Sequence, residues 1–364
     1  MDICNAWIDN REIKINAFLL RTWLNIIDRI KIPSDASFRK YERIITSSWV
    51  YILMDAPQPH EDVQPFIKID NILLNLGLSA PKIILSDVEN WFLLLEDLGN
   101  SKFNDLLIEN WDLEIELYTS AVNVLIQINK DVEQYDLDFY DEQILIKEAM
   151  LMPEWYLPLF LKLDTNALEN IKNEYNDIIC SIISKLKLPN DVIVLRDYHV
   201  DNLLNLDDRI GIMQVWLLDF QDALMWNSAY DLVSLLQDAR RDVSEETQQS
   251  MINYFLNNVN VNKDDFINDY HILGAQRNLK ILGIFSRLKL RDSKEKYLSF
   301  IPRVKKYLEQ DLQHPSLEQL YKFLKDKCNL KNDGLMKGKT FHINTSLNTR
   351  MKLVTDNKEL LRKV

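Results

Sequence analysis

The chain has 364 residues, room for two domains of ordinary size, and its 47% apolar and 27% charged residues exclude a disordered polypeptide. A net charge of −12 leaves no basic footprint for nucleic acid. No run nears the ~18 consecutive apolar residues of a membrane span, and the opening MDICNAWIDNREIK lacks a secretory apolar core, so a cytoplasmic protein with no membrane or nucleic-acid partner is expected.

In chain order, residues 1–30 read as helical, with Ile13, Phe18, Leu19, Trp23, Ile26 and Ile27 at three- and four-residue steps and Pro33 as the stop. Strand-like runs follow at 41–45 and 49–54 around a Thr46-Ser47-Ser48 turn. A helix over 67–76 ends at Gly77, and residues 82–85 and 91–95 read as two more strands. Beyond residue 100 the periods are helical, apart from short apolar runs at 192–195, 203–206 and 215–218 between Asp- and Asn-rich turns. The pattern predicts an α+β protein of two lobes: a small β-rich lobe over 1–98 and a larger, mostly helical lobe over 99–328. A polar tail covers 329–364.

Several chemistries are excluded by residue supply. Cys4, Cys180 and Cys328 are too far apart for a CxxC pair, and no two of the five histidines stand at i, i+4. Seven glycines in the whole chain leave neither a Walker A loop nor a GxGxxG fingerprint. The densest polar cluster in an apolar setting is Arg196-Asp197-Tyr198-His199-Val200-Asp201-Asn202, followed by Asp219-Phe220-Gln221-Asp222. An Asp behind a strand, an Asn five residues on and an Asp seventeen residues later behind another strand are the parts phosphoryl transfer to an alcohol requires. One carboxylate orients the hydroxyl and accepts its proton, while a carboxylate and an amide oxygen hold Mg²⁺ on the nucleotide phosphates. The same residue types also build Asx turns, which is the bland alternative for each of them singly.

Asp35-Ala36-Ser37-Phe38-Arg39-Lys40-Tyr41, Leu93-Leu94-Leu95-Glu96-Asp97-Leu98-Gly99, Arg196 to Asn202 and Asp219-Phe220-Gln221-Asp222-Ala223 together resemble the aminoglycoside phosphotransferase family. Within it they are most similar to the sugar kinases of cell-wall recycling that act on N-acetylmuramate or N-acetylglucosamine. The likeness runs through YDLVSLLQDARRDV at 230–243 and GAQRNLKILGIFSRL at 274–288 to about residue 328. It implies a protein-kinase-like fold and transfer of the γ-phosphate of ATP to the anomeric hydroxyl, with Mg²⁺ as cofactor. It further implies Asp197 as catalytic base, Asn202 and Asp219 as metal ligands, and Glu96 to Gly99 as the hinge beneath adenine, Glu96 and Leu98 included. Ser34, Ser37, Phe38, Arg39 and Lys40 would belong to the loop over the phosphates.

Two positions depart from the family pattern. Leu195 stands where the family often has a His two residues before the base, and β-strand 49–54 carries no V-A-I-K lysine, so Arg39, Lys40 or Arg43 is the expected source of positive charge. Acceptor recognition is expected from Asp238, Arg240 and Arg241, with Trp155 as a stacking platform for a sugar ring. Asp231 is expected to prop the catalytic loop against Arg196. In the tail, residues 346–358 resemble a degenerate opening of a sugar-1-phosphate nucleotidyltransferase, which suggests functional pairing with a uridylyltransferase. Competing readings are a kinase of another small alcohol, such as an aminoglycoside or choline, and a non-catalytic pseudokinase.

Overall fold

A computed structural model describes residues 3–33, 38–57, 61–131, 133–161 and 164–328, with side chains from residue 11 onward. The chain separates into two compact units, Met1–Phe103 with Asn202–Asp222 and Asn104–Asp201 with Ala223–Val364. The segment Asn202–Asp222, expected in the second lobe, therefore folds with the first. The tail 329–364 and its nucleotidyltransferase resemblance lie outside the described residues.

The first unit is built on a five-stranded antiparallel sheet in the order β1-β2-β3-β5-β4. Its strands are β1 (Ile26–Ile32), β2 (Lys40–Thr46), β3 (Val50–Asp55), β4 (Ile83–Asp87) and β5 (Phe92–Glu96). The β2–β3 hairpin closes where expected, because Thr46 Oγ1 accepts the N–H groups of Ser48 and Trp49. Ile15, Phe18 and Leu19 of the helix Ile3–Leu20 pack on Ile44, Leu53, Phe92 and Leu94. Leu93 and Leu95, of opposite parity on β5, are buried as well, so that strand is covered on both faces.

The first helix is shorter than its periodicity predicts. It ends at Leu20, Trp23 takes a left-handed φ of 56°, and Ile26 and Ile27 open β1 instead. The run Ile-Ile-Asp-Arg-Ile-Lys-Ile is rich in β-branched residues, and pairing with β2 outweighs a spacing that fits either state. The helix Gln64–Asn75 stops in a Schellman turn: Gly77, at φ 72°, donates to Leu74 O, and Leu78 donates to Leu73 O.

Four short strands follow: β6 (Val192–Val194), β7 (Leu203–Asn205), β8 (Val215–Leu217) and β9 (Leu224–Trp226). β7 and β8 form a hairpin joined to the first unit, with Leu217 N–H donating to Ser79 O and Asn205 N–H to Ser101 O. β6 and β9 pair in the second unit, which is otherwise helical. β9 has no counterpart in the sequence pattern, since three residues beside an Asp turn are too short to show a period.

The long helix Lys263–Asp292, capped by Asn262, buries a polar face as well as an apolar one. Asp311, fully buried, accepts from Gln237 at 2.9 Å and Asn278 at 3.3 Å and meets His271 Nδ1 at 3.0 Å. Gly274 is required there, because a Cβ at that position would lie 2.4 Å from Asp311 Oδ2.

Candidate active site

In the second unit, β6 runs into the loop that carries Asp197. Burial holds Val194 and Leu195 in the core, and Arg196 then takes a left-handed φ of 69°, turning the chain outward so that Asp197 is exposed while Tyr198 and His199 return to the interior. Asp231, 3% exposed, accepts the N–H of Leu195 at 2.6 Å and of Arg196 at 2.9 Å. Burial pushes the Asp231 carboxyl up to about 7, with the two backbone donors pulling the other way. Ser234 Oγ donates to Arg196 O at 3.2 Å. Asp231 thus props the loop through its backbone. The Arg196 guanidinium goes elsewhere, 3.2 Å from Glu148 and over the Tyr140 ring at 5.0 Å.

The protein packed around Asp197 opposes its charge even though the residue reaches solvent. The guanidinium of Arg277, the ammonium of Lys280 and the guanidinium of Arg196 outweigh that opposition and hold the carboxyl below its ordinary range, with His199 adding to them only when protonated. Arg277 is anchored by the Tyr230 hydroxyl at 3.3 Å, and Lys280 by Glu148 at 2.8 Å. Tyr140 OH also donates to Glu148. Asp197 is an ionised carboxylate inside a cationic frame.

The turn after the helix Ala229–Leu236 carries the residues expected at the acceptor. Arg240 approaches His199 Nε2 at 3.3 Å and Asp201 Oδ2 at 3.7 Å. Asp238 Oδ1 accepts the Arg240 N–H at 2.8 Å, while its buried Oδ2 has no hydrogen-bond partner within the protein; burial pushes this carboxyl up to about 6. Arg241 lies over the Trp111 ring at 4.6 Å, with its buried Nε and Nη2 lacking protein acceptors. Trp155 is half-buried in a π-helical turn, Met152–Tyr156.

In the first unit, the β7–β8 ladder extends to a bond from Leu218 N–H to Asn202 O at 2.9 Å. Asn202 therefore stands at the same hairpin end as Asp219, which is exposed and has a left-handed φ of 56°. Gln221 Nε2 donates to Asp219 Oδ1 at 3.0 Å, and Phe220 packs inward on Phe66. An amide oxygen and a carboxylate at one end of a hairpin are hard donors of the kind that suits Mg²⁺, which takes few protein ligands when phosphates complete its shell. Among the described residues no three His, Cys, Asp or Glu side chains converge into a closed metal cage.

Of the three cations named for the missing lysine, Arg39 lies 3.9 Å from Asp219 Oδ1 and 2.9 Å from Glu61, largely buried. Arg43 is committed to Asp97 at 2.5 Å and Asn100 at 2.9 Å, and Lys40 points to solvent. Phe38 is exposed, and Ser34 and Ser37 lie outside the described residues. Glu96 ends β5 and accepts from Arg209 at 3.2 Å; Leu98 joins the cluster of Leu204, Leu206 and Trp216. Gly99 turns the chain at φ 92°, its N–H donating to Asp97 Oδ1 at 2.9 Å.

Sequence reasoning missed Glu148, Tyr140 and Tyr230. They come from separate helices and a loop, with no local pattern among them. Lys280 was within reach of such reasoning, since it stands three residues after Arg277 on one helix face.

A model described as the phosphotransferase enzyme family matches residues 28–260. The chain is 35% identical to the N-acetylmuramate/N-acetylglucosamine kinase of Pseudomonas aeruginosa, over 88% of this chain and 94% of that one. It is 34% identical to the protein of the same name from Caulobacter vibrioides, over 85% of this chain and 94% of that one. A solved choline kinase from Streptococcus pneumoniae matches at a TM-score of 0.58 and 13% identity, covering 82% of this chain and 98% of its own, which is a likeness of fold.

Proposed function

Because the chain belongs to the phosphotransferase enzyme family, we propose that it transfers the γ-phosphoryl group of ATP to the anomeric hydroxyl of N-acetylmuramate and N-acetylglucosamine, giving the sugar 1-phosphate. The names of the aligned relatives support the acceptor. The observation that carries the chemistry is the cationic frame around Asp197.

A carboxylate held ionised is ready to accept the hydrogen bond of an acceptor hydroxyl and to orient it. The hemiacetal hydroxyl is the most acidic on such a sugar. Asp197 accepts a hydrogen bond from that hydroxyl, aims its oxygen at the γ-phosphorus, and takes the proton as the new O–P bond forms and ADP departs. Asn202 and Asp219 would hold Mg²⁺, which supplies neutralisation of the donor phosphates. Arg39, beside Asp219, provides the charge that a β3 lysine would otherwise bring. Phe38, just before β2, would cover the phosphates with Lys40 at the start of that strand, and the backbone of Glu96 to Leu98 would receive adenine.

At the acceptor, the unfilled atoms of Asp238 and Arg241 support contacts to a sugar hydroxyl and to the acetamido carbonyl or lactyl carboxylate. Nothing around Trp155 adds to its candidacy. ATP as donor puts the reaction in the cytoplasm, within peptidoglycan recycling, and a sugar-1-phosphate uridylyltransferase is the enzyme suited to consume the product. Among the described residues no helix is long and apolar enough to cross a membrane.

Phosphorus NMR of protein, Mg·ATP and each sugar tests the proposal. A new resonance split by the anomeric proton is the expected result. ADP without that signal would assign another acceptor, and no turnover would favour a binding protein.

A further inference from the structure

The helix Ala229–Leu236 and the turn after it grip the loop of Asp197 at two places. At the entrance, Asp231 and Ser234 hold the backbone of Leu195 and Arg196. At the exit the grip is Arg240. Its Nη1 lies 3.3 Å from His199 Nε2, its Nε 3.7 Å from Asp201 Oδ2, and its own N–H is fixed by Asp238 Oδ1 at 2.8 Å. One guanidinium therefore spans both sides of Val200, which is itself buried in the core.

A guanidinium nitrogen can only donate, so His199 Nε2 must accept and the neutral imidazole carries its proton on Nδ1. That tautomer leaves His199 without a second acid/base role while the contact stands. The adjacent arginine differs: Arg241 keeps Nε and Nη2 without protein acceptors. Two neighbouring residues of the same type thus differ: Arg240 is engaged by the loop, and Arg241 is buried over Trp111 with two nitrogens unpartnered within the protein.

We propose that Arg240 is a positioning residue and not an acceptor contact. It clamps the exit of the catalytic loop and, through Asp201, sets the 3-10 turn Val200–Asn202 that presents the Asn202 amide oxygen to the divalent cation of the donor. This rests on the assignment of Asn202 as a metal ligand made above.

The test uses the full chain and the variants Arg240→Ala and Arg240→Lys, with melting curves confirming that each folds. In ¹⁵N-histidine spectra, with His199 assigned by its loss in His199→Gln, wild type should show the Nδ1–H tautomer and Arg240→Ala a mixture. Binding of Mn²⁺ with ADP, followed by electron paramagnetic resonance, should weaken about tenfold or more in Arg240→Ala, as loss of an outer support of a metal ligand does. The KM for sugar should stay within about twofold and Arg240→Lys should recover part of the binding. A raised sugar KM with unchanged Mn²⁺·ADP binding would make Arg240 an acceptor contact and overturn the proposal. Unchanged spectra and binding would overturn it too. A wild type that binds Mn²⁺·ADP yet phosphorylates neither sugar would overturn the substrate and leave the clamp standing.

Discussion

Asp231 holds the backbone N–H of Arg196 at 2.9 Å, and Arg196 at that point is in the left-handed region with a φ of 69°. The carboxylate stabilises a turn that an L-residue adopts reluctantly. Asp231→Asn sets an amide NH₂ against one of two buried N–H donors, which costs about 1–3 kcal/mol. We expect a lower melting temperature and a kcat that falls while the KM for ATP holds, measured by calorimetry and steady-state kinetics.

Asp197→Asn should lower kcat by about 10²–10⁴-fold, the usual worth of a positioned acid/base group. Asp197 is exposed and its neighbours Leu195 and Tyr198 carry the packing, while the lowered carboxyl shows that the fold favours its charge, so the melting temperature should hold or fall slightly. A variant with wild-type turnover would remove Asp197 from the mechanism.

Arg39 and Arg43 should separate by assay. Arg39→Ala takes away the cation beside Asp219 and should raise the KM for Mg·ATP about tenfold or more, on the scale of a lost charge-assisted hydrogen bond. Arg43→Ala breaks its links to Asp97 and Asn100 and should show mainly as lost stability. Equal effects on KM would refute the division.

Asp70 predicts the pH dependence of folding. It is 1% exposed on the helix Gln64–Asn75, neither oxygen has a protein partner, and burial followed by the charge of Glu96 pushes it up to about 7 from 3.8. A raised carboxyl binds its proton more tightly in the folded chain. Its contribution is complete below about pH 4 and is lost as pH climbs through about 7. Asp70→Leu should therefore stabilise by about 2–4 kcal/mol at pH 8 and far less at pH 4, at 1.36 kcal/mol per unit. Equal gains at both pH values would contradict this.

Gly283→Ala should destabilise by about 3 kcal/mol or more, since the added Cβ would lie 2.4 Å from the Leu151 backbone, which cannot swing aside. Gly274→Ala meets the bonded carboxylate of Asp311 instead and should disturb His271, Gln237 and Asn278 together. Denaturant melts of both variants check the order of severity.

Four of the five strands, β2 to β5, were legible because they are local apolar runs bounded by turn residues, as at Thr46. The boundary of the first helix was not, since Ile26 and Ile27 satisfy both a helical step and a strand, and the choice is made by β2. The positions of Asp197, Asn202 and Asp219 could be read from spacing within one stretch of chain. Most of their supports could not: Tyr140 and Glu148 meet Tyr230 from a distant part of the chain, and a partner chosen by tertiary packing leaves no period. Asp231 does prop the loop at Arg196, and what the sequence leaves open is that the contact runs to the backbone N–H.

Arg196 and Asp219 both occupy backbone conformations that glycine would adopt with less strain, in a chain with few glycines. Replacing either by glycine would relax the turn and remove a side chain the site uses, the Arg196 guanidinium of the frame around Asp197 or the Asp219 carboxylate. A selection for thermal tolerance alone would thus drift toward robust, inactive variants at these two positions. Directed evolution of this chain needs a selection on turnover from its first round.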